Sequence, residues 1–215
     1  AYSRYGHDCP KHLRGMFAFA IWDEAKQELF LARDRVGKKP LLYAQTANGG
    51  LVFASEFMPM LLHPDVSRDV DHEALHYYLT FMCVPAPLTA YRQIRKLEPG
   101  HTLRWRKGEI ELKRYWLPDF SKKLDITEEE AGERLIEILR DAVRVRLMSE
   151  VPLGAFLSGG IDSSTVVALM SEVSSTPVKT FSIGFEEQDF SELHHARRVA
   201  EHVGAEHHEF IVRPD

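Results

Sequence analysis

Seven consecutive residues, Ser158-Gly159-Gly160-Ile161-Asp162-Ser163-Ser164, combine the groups needed to hold a phosphate chain at close range. Glycines let successive backbone N–H groups face inward with no Cβ in the way, and the hydroxyls of Ser158, Ser163 and Ser164 add donors. A helix starting here would aim the positive end of its dipole at the same point. The apolar run ending Ala155-Phe156-Leu157 precedes the loop, which places it at a strand-to-helix turn. Three other chemistries fail on residue type: there is no Lys for a Walker loop, no third glycine for a dinucleotide fingerprint, and Phe156 stands where a nucleophile elbow needs glycine. Ser158 therefore reads as a phosphate ligand and not as a nucleophile. Asp162 is the acid of the loop, and a carboxylate beside phosphate is unfavourable unless a cation such as Mg²⁺ is shared between them. A metal-bound nucleotide is the expected ligand.

Other constellations invite chemistry less strongly. His72-Glu73-Ala74-Leu75-His76 meets the zincin pattern, with two imidazoles at i and i+4 and Glu73 as a base, but no third ligand is marked. The plainer reading is a solvent-facing stripe with Leu75, Tyr78 and Leu79 on the buried side. His194-His195 and His207-His208 are placed on an exposed helix and at a strand start. Asp189 and Glu192 fall where ligands of a parallel sheet bind, although Ser191 as an N-cap with Glu192 in the first turn explains the latter pair without a ligand. Arg33-Asp34-Arg35 reads as a structural ion pair. Phe17, Phe19 and Trp22 read as core, and Cys9 and Cys83, the only cysteines, as reduced, buried thiols with no disulfide framework.

Positioning these residues takes two kinds of architecture. Up to about Trp116 the pattern is of short strands at 16–22, 28–33, 40–45 and 51–55, forming an antiparallel meander, with Asn48-Gly49-Gly50 as a hairpin turn. A short helix at 56–62 and a longer one at 71–82, capped by Asp71, follow, then a hairpin of 103–106 and 109–115 around Lys107-Gly108. Beyond residue 119, Thr127 and Glu130 form a capping box for a helix to about Met148, with Ala131, Leu135, Ile138, Leu139, Ala142 and Val143 on its packed face. Strands at 151–157, 179–184 and 207–212 then alternate with helices at 162–173 and 192–203, the order of a parallel sheet whose ligands lie beyond the carboxyl ends of its strands. The fold class is α+β followed by α/β.

The 215 residues are 44% hydrophobic and 27% charged, the balance of an ordinary globular chain. A formal net charge of −5 gives no basic face for nucleic acid, and no apolar run approaches the ~18 residues of a membrane span. Cysteine usage suits a cytoplasmic protein. Ala1 stands in place of Met and no signal pattern follows, so the chain reads as a piece of a longer protein.

The loop and its preceding strand resemble the pyrophosphate loop of ATP pyrophosphatases. Further stretches narrow the resemblance to glutamine-dependent asparagine synthetases: 13–20 (Leu-Arg-Gly-Met-Phe-Ala-Phe-Ala), 32–41 (Ala-Arg-Asp-Arg-Val-Gly-Lys-Lys-Pro-Leu), Ala54-Ser55-Glu56, 97–101 (Leu-Glu-Pro-Gly-His) and 149–154 (Ser-Glu-Val-Pro-Leu-Gly). The resemblance implies that residues 1–118 are the rear of an N-terminal-nucleophile glutaminase domain, with an antiparallel sheet. Residues 119–215 would open an ATP-pyrophosphatase domain of the adenine nucleotide alpha hydrolase type. It implies ATP and Mg as cofactors and aspartate and glutamine as substrates, with aspartate activated as an acyl-adenylate and amidated by glutamine-derived ammonia. A homodimer, without nucleic-acid or membrane partners, is the implied assembly. Carried over by position, Ser158, Gly159, Gly160, Asp162 and Ser163, with Ser164 beside them, hold phosphate and metal, while Phe156, through its backbone, and Ile183 touch adenine. The nucleophilic Cys of the family lies upstream, Cys9 is an interior residue, and no catalytic residue is assigned within 1–215. A sister amidotransferase for another carboxylate, in surface-polysaccharide or β-lactam chemistry, a nucleotide-binding module without turnover and a zinc hydrolase through His72 and His76 are the other readings.

Overall fold

A computed structural model describes residues 1–186 and 191–213, and the chain divides into two compact units, Ala1–Lys122 and Lys123–Asp215. The first unit opens with a short helix α1 (Tyr2–Tyr5) and a 3-10 segment (Gly6–His12), neither of which the hydrophobic pattern announces. Strands β1 (Ala18–Asp23) and β2 (Glu28–Arg33) pair antiparallel, but β2 then pairs with β6 (His101–Arg106) instead of β3 (Leu42–Gln45). The expected meander is therefore two sheets. One has the order β1-β2-β6-β7, ending on β7 (Glu109–Arg114). The other is β4-β3-β5, built from β4 (Leu51–Ala54), β3 and the two-residue β5 (Arg95–Lys96).

Asp34 causes the departure. Its fully buried carboxylate accepts the backbone N–H groups of Phe17 (3.3 Å), Val36 (3.3 Å), Lys38 (3.0 Å) and Lys39 (2.9 Å), so the chain turns out of the first sheet. Arg33 makes no ion pair with it. The guanidinium donates to the carbonyls of Gly37, Lys39 and Leu97, which corrects the expected ion pair to a main-chain clamp. Burial by itself would raise the Asp34 pKa, but the four amide donors outweigh it and hold the group below the usual carboxylate range. The Tyr115 hydroxyl donates to the Arg33 carbonyl at 2.8 Å, and burial pushes this phenol up to about 12.

Leu31, Leu41, Tyr43, Leu97 and Leu103 form one core of this unit, and Leu42, Met60, Val66 and Ile94 another. Helix α2 (Phe57–Leu61) supplies Met60. Helix α3 (His72–Phe81) has the predicted Asp71 cap, which accepts from Glu73 N and Ala74 N. Its buried side is Ala74 alone. Leu75, Tyr78 and Leu79 are exposed, contrary to expectation, because helical spacing gathers apolar residues on a face without saying what meets it. Phe17 and Phe19 pack on the Cys9, Phe30 and Ala32 cluster, whereas Trp22 is 47% exposed and Cys83 is exposed, so neither belongs to the core.

The second unit starts with α4 (Glu128–Arg146), whose capping box is complete: Thr127 Oγ1 accepts from Glu130 N, and Glu130 accepts from Thr127 N. Only its last turns pack, through Leu139 and Val143, against Leu169, Met170 and Val178, and Leu135 and Ile138 stay exposed. Strands β8 (Gly154–Phe156), β9 (Lys179–Phe185) and β10 (Glu206–Val212) make a parallel sheet in the order β10-β9-β8. β8 is shorter than the expected 151–157, since Pro152 has no N–H to offer a ladder. Helices α5 (Ile161–Val173) and α6 (Leu193–Val203) lie against one another over Leu157, Val167, Ala196 and Ala200. Among the described residues no helix is long and apolar enough to cross a membrane.

Candidate functional site

The loop leaves β8 at its carboxyl end, beside the centre of the sheet. Leu157 is buried, its N–H donates to the Phe181 carbonyl at 2.9 Å, and its carbonyl accepts from the Ser182 hydroxyl, so both main-chain groups are fixed to β9. Gly154 is needed beneath this point: a Cβ there would lie 2.4 Å from the Phe181 ring. The next residues turn sharply, with Gly159 at φ +81°. That value favours glycine, and the surroundings require it, because a Cβ would lie 2.5 Å from His195 Cβ and 2.6 Å from Ala196 N. The first turn of α6 is thus the wall behind the loop. Sequence reasoning did not find this wall, since nothing local in residues 193–196 signals contact with residue 159.

The hydroxyls of Ser158 and Ser163 are 3.0 Å apart, Gly160 N donates to Ser158 Oγ at 3.3 Å, and Ser158 N donates to Ser163 Oγ at 3.3 Å. A closed ring of donors and acceptors joins the start of the loop to the first turn of α5. Gly160 is the N-cap and has no side chain to satisfy that turn, so its leading N–H groups have no intrahelical acceptor. This is the arrangement that accepts an anion. Asp162 is exposed in the same turn. Ser164 departs from its neighbours. Its N–H donates to Gly160 O within the helix, its buried hydroxyl has no hydrogen-bond partner among the described residues, and the residue lines a cleft between α5 and α6. One step along a helix is a rotation of ~100°, so periodicity alone could have separated Ser163 from Ser164.

Phe156 pairs with Phe181 in the register of β8 and β9, and Ile183 follows two residues later on the same strand. Both side chains, 79% and 54% exposed, stand at the carboxyl edge of the sheet next to the loop. A flat apolar ligand could lie there with its charged end on the loop. Glu192, and not Ser191, is the N-cap of α6, and it makes no side-chain capping bond. Ser191 instead lies near Gly184, where a Cβ would meet its Oγ at 2.9 Å. Asp189 lies outside the described residues.

The histidine constellations do not converge. His72 and His76 are exposed on α3, the rings of His194 and His195 lie 3.8 Å apart between centroids and tilted by 41°, and His207 Nδ1 lies 2.8 Å from the Thr180 hydroxyl. Among the described residues no group of three or more His, Cys, Asp or Glu side chains is arranged to hold a metal ion.

Comparison with known proteins covers both units. A model of the glutamine amidotransferase domain family matches residues 1–116, and a model of the asparagine synthase family matches residues 134–215. An asparagine synthetase (glutamine-hydrolyzing) of Bacillus subtilis is 38% identical over 215 residues, covering all of this chain and 33% of the relative. A second from the same organism is 36% identical over 194 residues, covering 88% of this chain and 31% of the relative. An amidase of Gibberella zeae is 36% identical over 236 aligned residues, with 100% and 34% covered. The chain spans about a third of the length of these curated relatives. With one family model following the other along the sequence, the chain belongs to the glutamine-dependent asparagine synthetase family.

Proposed function

We propose that the protein containing this chain forms an amide from ATP, a carboxylate and glutamine-derived ammonia, with aspartate as the carboxylate and asparagine, AMP and pyrophosphate as products. Residues 1–118 are assigned to the rear of an N-terminal-nucleophile glutaminase domain and 119–215 to the start of an ATP-pyrophosphatase domain. The observation that carries this reading is the loop of hydroxyls and free helix N–H groups at the carboxyl end of β8.

In the proposed reaction a carboxylate oxygen of aspartate attacks the α-phosphorus of ATP and pyrophosphate leaves. Ammonia then attacks the acyl carbon and AMP departs. Ser158, Gly159, Gly160 and Ser163 hold the β- and γ-phosphates. Their donors are already aimed where charge grows on the leaving oxygens, so the loop need not reorganise as the bond breaks. Phe156 and Ile183 flank the adenine. The loop offers one carboxylate, Asp162, a hard oxygen ligand open to solvent, and this donor suits Mg²⁺ shared with phosphate oxygens. Such an ion would offset the repulsion between Asp162 and the nucleotide.

A second reading has a specific source, the relatives named amidases, of which the Gibberella zeae protein is one. It keeps the same activation chemistry and changes the carboxylate. Exchange of labelled pyrophosphate into ATP by the full-length protein, with aspartate beside a panel of other acids, separates the two. Exchange with aspartate supports the first reading, exchange only with another acid supports the second, and none with any acid overturns both.

A further inference from the structure

Between α5 and α6 lies an open cleft of about 550 Å³ that the proposed reaction does not use. Gly159 is among its lining residues, so it adjoins the phosphate loop. His195, Arg198 and His202 project into it from α6 at positions i, i+3 and i+7, one face of that helix. Ser164 and Thr165 face them from α5, above an apolar floor. Among the described residues that line the cleft there is no carboxylate. Arg198 is thus the one permanently charged group among the described residues on this wall, with no acid there to neutralise it.

The hydrogen-bonding inventory points the same way. The Thr165 hydroxyl already donates to the Ile161 carbonyl at 2.8 Å, but the Ser164 hydroxyl has no partner among the described residues. The guanidinium only donates, and each imidazole and the unclaimed hydroxyl can add a donor beside it. We propose that this cleft binds a small phosphate-type oxyanion at a site separate from the nucleotide loop. A tetrahedral anion can take donors from several directions at once, which suits side chains arriving from two helices, and Arg198 supplies the permanent charge. Because Gly159 belongs to both sites, an anion held here braces the loop from behind and couples the cleft to nucleotide binding. The coupling rests on the proposed function, whereas the anion site does not.

Equilibrium dialysis of the full-length protein against radiolabelled inorganic phosphate tests the site. The expected result is a saturable equivalent whose affinity is unchanged by Ser158→Ala, a substitution that weakens only binding at the loop, and that weakens at least tenfold in Arg198→Gln, with a smaller loss in His202→Gln. Both cleft side chains are exposed, and unchanged circular dichroism and Tm confirm that the variants fold. If Ser158→Ala weakens every bound equivalent, or if Arg198→Gln weakens none, the proposal is overturned. Absent pyrophosphate exchange with phosphate binding intact would overturn the proposed function and leave the cleft standing.

Discussion

Ser158 and Ser163 face each other across the phosphate loop with their hydroxyl oxygens 3.0 Å apart. Each hydroxyl therefore already has a partner, and the loop is shaped before any ligand arrives. An incoming phosphate exchanges this pair for two charge-assisted bonds, which are roughly twice as strong as neutral ones. Removing either hydroxyl takes one group out of the ring and leaves the other bonded to main-chain groups only. Ser158→Ala and Ser163→Ala are expected to weaken ATP binding by about tenfold each, a loss of ~1.4 kcal/mol, and titration calorimetry on the full-length protein measures it.

Asp162→Ala should abolish Mg-dependent nucleotide use and leave the fold intact. The side chain is exposed and outside every core cluster, so its removal should change stability by less than ~0.5 kcal/mol. Pyrophosphate exchange across a Mg²⁺ titration, alongside a thermal melt, checks both halves, and unchanged kinetics would sink the metal role of this residue.

Gly159→Ala should disturb the loop and α6 together. The added methyl needs a left-handed backbone conformation that costs an ordinary residue roughly 1–2 kcal/mol, and it would also press on His195 and Ala196. Both nucleotide binding and Tm should fall. Gly160→Ala is the control, because its Cβ would find nothing nearer than Ser158 Oγ at 3.4 Å.

Asp34→Asn should destabilise the first unit and change its response to acid. The folded-state pKa lies below the unfolded value of about 3.9, so the carboxylate's contribution is fully present above that pH and is lost as pH falls through the folded value. Urea melts between pH 7 and 3 should show the wild-type protein losing this increment and the variant, already weaker, losing less.

Tyr115 gives the opposite slope. Its folded pKa is raised to about 12, so the neutral phenol is the form that supports the fold. The contribution holds below the unfolded value of about 10 and is lost as pH rises toward the folded one. Tyr115→Phe should remove the highest-pH step from the phenolate absorbance titration.

What the sequence made legible was local. The caps at Asp71 and Thr127 and the hairpin at Lys107-Gly108 each depend on residues within four positions of one another, and all are present. The alternation of strand and helix beyond residue 150 likewise announced the parallel sheet. Non-local pairing was not legible. Nothing in β2 says that it joins β6 and not β3, and β5, two residues long, has no period to detect. At the candidate site the loop stood out by composition, whereas the supporting wall at His195 and Ala196 is a contact across more than 35 positions. Ser164 was grouped with its neighbours because chain order conceals rotation about a helix axis.

The amides gathered by Asp34 come from residue 17 and from residues 36 to 39, on either side of a strand pair. A single carboxylate therefore closes a seam at the place where the chain leaves one sheet for the other. Many chains cross between sheets through a helix or a long linker, but here eight residues between Arg33 and Leu42 suffice. One ionised side chain thus fastens the crossing between the two sheets, as a cross-link whose hold is expected to slacken when pH falls through its folded pKa.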